Sequence, residues 1–152
     1  VQNVWENQPN VTLHFTKLKL LKELSHDAWV NFIETLFTNK EKYDCLFVPT
    51  KEDSHFEHKI VNELAFPLTR IKGISILEYR TPSTLDLWSP NTFTNITEFF
   101  DEKQRQLMLF ESQKDRWYFQ EDLLKSFHSN FQSYKKGIKY VEQFKTIQLF
   151  KL

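Results

Sequence analysis

Residues 73–79 read GISILEY, almost continuously apolar with one carboxylate near the end. A strand that alternates apolar and polar residues faces water on one side, whereas one that is apolar throughout needs cover on both. This stretch therefore demands an interior strand with a layer of structure above and below it. The chain supplies the layers. Ser25 is a suitable N-cap and Asp27 suits a first turn, and Ala28, Trp29, Phe32, Ile33, Leu36 and Phe37 then recur at helical spacing, predicting a helix over about 26–39. YDCLFV at 43–48 is a second short apolar run, stopped by Pro49. Asp53 or Ser54 can cap a further helix whose Phe56, Ile60, Val61 and Leu64 share a face and which Pro67 ends.

Beyond the central strand, TPSTLDLWSPN is rich in turn residues, and Asn95 can cap a helix carrying Ile96, Phe99, Phe100, Leu107 and Phe110. LMLF at its end, and RWYF at 116–119, fit helix or strand. Another helix is expected over about 121–135, and YVEQFKTIQLFKL closes the chain as a strand with Phe144, Thr146, Gln148 and Phe150 on one face. Residues 1–10 read as a polar arm, and VTLHF at 11–15 as a short strand. Strands separated by helices predict one α/β domain over 1–152, with a mixed central sheet of four or five strands and flanking helices.

Composition narrows function mainly by exclusion. A chain of 152 residues that is 40% hydrophobic and 16% aromatic has enough apolar surface for a core. With 2 glycines it has neither a P-loop nor a dinucleotide fingerprint. Cys45 is the one cysteine, set in the apolar run CLFV, so it reads as a small buried hydrophobe in a reducing, intracellular setting. A secretory leader ahead of Val1 stays open, and with it any use of the sequons at Asn10 and Asn95. No apolar run reaches the roughly 18 residues of a membrane span. Net charge is zero but unevenly placed. Residues 1–102 hold 10 basic and 15 acidic side chains, residues 103–152 the reverse balance of 10 and 5.

That asymmetry, with Lys114, Arg116, Trp117, Tyr118, Lys125, Lys135, Lys136 and Lys139 in the last third, suits an acidic protein or a nucleic acid. Trp88, in a proline-bounded loop, can anchor a partner or fold back over the core. The leading expectation is a non-enzymatic, macromolecule-binding or regulatory module without a cofactor. Trp88, Lys114, Arg116, Lys135, Lys136 and Lys139 are its contact residues. Thr81-Pro82 and Ser89-Pro90 are proline-directed phosphorylation contexts.

Two clusters have the chemistry of a metal site. In EDSHFEH, His55 and His58 are three apart and share a helix face, with Glu52 as a further donor for zinc; the alternative is a pair of surface histidines. Asp44 opens one buried strand, and Glu78 and Arg80 close another. If the strands are neighbours, two carboxylates and a cation can converge. Here the sequence resembles the PD-(D/E)xK nuclease superfamily over about residues 43–90. An apolar strand begins with Asp and is followed by ILEYRTP, where some members carry a glutamate-tyrosine-lysine-serine-proline run. The resemblance implies Asp44 and Glu78 as ligands of Mg²⁺ and Arg80 at the place of the catalytic lysine. Arginine there departs from the pattern, because it stays charged and cannot serve as a base.

Overall fold

The computed structural model describes residues 11, 25–38, 43–70, 73–129 and 137–150, the side chains at 32, 33 and 36–38 excepted. The expected arm at 1–10 and, but for Val11, the strand at 11–15 lie outside these residues. So do Asn10, Lys135 and Lys136. The fold class is α/β, with one mixed sheet of four strands and helices flanking it. In chain order the elements are α1 (His26–Thr38), β1 (Cys45–Pro49), α2 (Phe56–Ala65), β2 (Ser75–Tyr79), β3 (Thr92–Asn95), α3 (Phe100–Met108), α4 (Glu121–His128) and β4 (Val141–Gln148). Short 3-10 turns occupy Phe66–Arg70, Thr97–Phe99 and Trp117–Phe119. The strand order is β1-β2-β4-β3. No helix among the described residues is long and apolar enough to cross a membrane.

Contacts divide the chain into two compact units, Leu18–Thr92 with Gln143–Leu152, and Val1–Lys17 with Phe93–Glu142. In the first, the strand–helix–strand sequence runs as the patterning predicts. Ser25 caps α1 by accepting the Ala28 N–H at 3.2 Å. β1 and β2 pair in parallel, Cys45 opposite Ser75 and Val48 opposite Glu78, with α2 between them in sequence. β4 then pairs antiparallel with β2. Gly73 enters β2 at φ +96°, a left-handed turn that a β-branched residue would resist. One face of the strand pair buries Val48, Ile74 and Ile76 against Ala65 and Leu68, with Leu46 at the margin. Each buried Val, Leu or Ile among them contributes about 1.5–3 kcal/mol. The α-helix stops at Ala65, but Pro67 lies inside the 3-10 turn that continues from it.

In the other unit, Phe100 is buried and stacks on Tyr140 with ring centroids 3.9 Å apart, and His128 meets the same ring edge-on at 6.0 Å. Glu142 gathers Lys103 from α3 and His128 from the end of α4, the latter at 3.7 Å. Burial pulls the Lys103 ammonium down to about 8. Asn95 accepts the Thr97 N–H at 3.0 Å and starts a 3-10 turn, so α3 proper begins at Phe100. Leu107 and Met108 end α3, and no strand forms at LMLF; RWYF resolves as a 3-10 turn.

Candidate functional site at the carboxyl edge of the parallel strands

Parallel strands point their carboxyl ends to one edge, and ligands of open α/β sheets collect outside that edge. Here the loop leaving β1 brings Thr50 to His55, and the loop leaving β2 brings Arg80 to Trp88. The two loops are stitched together. Asp53 bridges to Thr84, Leu85 N–H donates to the Glu52 carbonyl at 2.9 Å, and Ser54 N–H donates to the Ser83 carbonyl at 2.9 Å.

Asp53 is the centre of this edge and has none of its surface exposed. Its Oδ1 accepts the Ser83 hydroxyl at 2.6 Å and the His55 N–H at 2.7 Å; its Oδ2 accepts the Thr81 hydroxyl at 2.6 Å. His58 Nδ1 lies 3.1 Å from Oδ2. Burial alone would raise the Asp53 pKa. The hydrogen bonds from Ser83, Thr81 and the His55 backbone, with the His58 ring close by, outweigh it and hold the carboxyl well below the usual range. Nδ1 is buried and stands at ion-pair distance from Oδ2, but out of line for a hydrogen bond. The His58 side chain keeps 33% of its surface exposed, so its free end reaches solvent. His55 stacks on it with centroids 4.6 Å apart, in the position that caps α2. Glu52 completes the edge by pairing with Lys145 at 3.1 Å.

For a metal, the described residues hold no cluster of three or more His, Cys, Asp and Glu donors. Both Asp53 oxygens are already engaged by hydroxyls and a backbone amide. His55 and His58 are neighbours as expected, but the carboxylates beside their rings are Glu57, 3.9 Å from His55 Nδ1, and Asp53, 3.1 Å from His58 Nδ1, and not Glu52.

The Asp44–Glu78 pair does not form. In the parallel register Asp44 lies beside the start of β2, its carbonyl accepting the Ser75 N–H at 2.8 Å, while Glu78 lies opposite Val48. Four residues of strand, about 13 Å, separate the two levels. Asp44 is exposed, and Glu78 is 2% exposed with its carboxylate bonded to Asn62 and Thr50. The Mg²⁺ ligand set implied by the nuclease resemblance is therefore not assembled. Arg80 sets its guanidinium 5.9 Å from the Trp88 ring centroid. Trp88 itself is 8% exposed, so it folds onto the protein and does not present an anchor to solvent. Thr81 and Ser83 spend their hydroxyls on Asp53, which removes Thr81 as an open phosphorylation site. Lys114, Arg116 and Lys139 are exposed as expected, and Trp117 beside Arg116 is 61% exposed.

The sequence offers Asp53 or Ser54 as the cap of α2, a position His55 takes instead, and its patterning does not point to Thr50, Asn62, Thr81 or Ser83 for the site. A signal was present. Asp53 follows one parallel strand and TPST follows the next, so both belong to the same sheet edge once the pairing is parallel.

The molecule is thus an α/β protein whose mixed sheet carries a buried carboxylate and two histidines at the carboxyl edge of its parallel strands. It is similar in fold to the crystal structure of the conserved protein TT1542 from Thermus thermophilus, with a TM-score of 0.61 and 16% sequence identity. The match covers 83% of this chain and 61% of that one, so the chain spans less than two thirds of that protein's length. No family model matches the chain, and neither does any curated protein.

Proposed function

We propose that the Asp53–His58 pair is the acid–base centre of a site that acts on a small polar substrate by hydrolysis or group transfer. The observation that carries this reading is the 3.1 Å approach of His58 Nδ1 to a fully buried, multiply hydrogen-bonded carboxylate. With the ring turned into line, such a carboxylate fixes the imidazole's tautomer and stabilises the imidazolium that forms when Nε2 takes a proton. In the reaction, Nε2 removes a proton from a water or hydroxyl as its oxygen attacks, and returns it to the leaving group. His55, stacked alongside, lies within reach of the same substrate. The test is a screen of chromogenic ester, amide and phosphoester substrates. Turnover is expected, and His58→Gln and Asp53→Asn should each lower kcat/KM by at least about 100-fold. A His58→Gln protein as active as the wild type defeats the reading.

A second reading concerns the other unit. Exposed Trp117 beside Lys114 and Arg116 favours association with an acidic macromolecule, by charge neutralisation and aromatic stacking. Binding that does not weaken between low and high salt would count against it.

A further inference from the structure

Position 78 lies on the core face of β2, two residues beyond Ile76 and in register with Val48, both members of the apolar cluster. An apolar side chain there would extend that cluster. The chain places a carboxylate instead, 2% exposed. Its hydrogen bonds come from neutral donors, Asn62 Nδ2 at 2.8 Å to Oε1 and Thr50 Oγ1 at 3.2 Å to Oε2. Burying a carboxylate costs desolvation that two bonds from neutral donors repay only in part, and an apolar trio at 50, 62 and 78 would avoid that cost. Stability alone does not explain it.

What the carboxylate does is visible in its two arms. Thr50 is fully buried; its hydroxyl donates to Glu78 and accepts the Glu52 N–H at 3.2 Å, and its own N–H donates to the Tyr79 carbonyl at 3.0 Å. That arm fixes the loop one residue before Asp53. Asn62 donates to Glu78 and also to the Pro49 carbonyl at 2.8 Å. It lies one helical turn after His58 on the same face of α2. That arm fixes the helix that carries the imidazole. Both partners of the acid–base pair are therefore referenced to one buried group on the sheet.

We propose that Glu78 is a positioning residue that sets the approach of His58 to Asp53, through Thr50 on one side and Asn62 on the other; this rests on the reading of that pair as an acid–base centre. The test needs no substrate. In protein labelled with ¹⁵N-histidine, a proton on His58 Nδ1, shielded in the approach to Asp53, should give a slowly exchanging signal. Glu78→Met and Thr50→Val should lose that signal, while Thr50→Ser should keep it. If Glu78→Met does not fold, the isosteric Thr50→Val decides. A wild-type signal retained in both Glu78→Met and Thr50→Val, or lost equally in Thr50→Ser, overturns the proposal, as does its absence from the wild type. Loss of the signal in variants of a protein that turns over no substrate would leave Glu78 its positioning role and remove the acid–base reading. An unchanged signal in an active protein would do the reverse.

Discussion

His58 Nδ1 stands 3.1 Å from the Asp53 carboxylate, one partner partly open to solvent and the other closed off from it. The carboxylate is held by hydroxyls from the loop after β2, and the imidazole by the first turn of α2. The pair therefore exists only when the parallel strand pair and its crossover helix are formed.

Asp53 links stability to pH. Its folded pKa lies below the ordinary value of 3.8, so the folded state binds this proton less readily than the unfolded one. The contribution is fully present above the unfolded pKa and is lost as pH falls through the folded one. Asp53→Asn should destabilise the protein by about 3 kcal/mol near neutrality, because a buried ion is replaced among donors that fit it poorly. Its loss relative to wild type should shrink below about pH 4. Urea unfolding of both proteins from pH 2 to pH 7 measures this, and parallel pH curves would contradict it.

Lys103 gives the opposite end of the pH scale. Its folded value of about 8 lies below the ordinary 10.5, so the unfolded state holds the proton more tightly. Stability from this group should rise as pH climbs from about 8 towards 10.5. Lys103→Met should remove that rise, read as the difference between the two proteins' melting temperatures across the window.

Trp88→Ala should cost about 3–5 kcal/mol, as removal of a buried large side chain does. The expected observation is a fall in melting temperature. A stable variant that instead loses a binding partner would restore the role of surface anchor that burial denies it.

Lys114, Arg116 and Trp117 lie on exposed positions, and their alanine variants should stay within about 0.5 kcal/mol of wild-type stability. If the basic surface binds polyanions, retention on an immobilised polyanion should fall for the triple variant and fall with salt for the wild type. Equal retention of both proteins would separate the charge asymmetry from binding.

Much of the fold was legible because its strongest signals are local. GISILEY asked for cover on both faces and has it, and the 26–38 helix carries the cap its serine announces. β3 escaped because four residues at the sheet margin, mostly exposed, carry little apolar pattern. The site was harder for a different reason. Asp53 meets Thr81 and Ser83 across 28 and 30 residues, and no spacing rule reports that. The Asp44–Glu78 expectation failed on direction. A strand that begins with one acid and a strand that ends with another bring them together only when antiparallel. β1 and β2 are parallel, as a helical crossover between neighbouring strands favours.

The most direct measurement is the tautomer of His58, from the ¹⁵N shifts of its two ring nitrogens at a pH where the ring is neutral. The acid–base reading predicts the proton on Nδ1 and a bare Nε2 in the wild type, with that preference lost in Asp53→Asn. A wild-type ring protonated on Nε2, or a tautomer indifferent to Asp53→Asn, would contradict it.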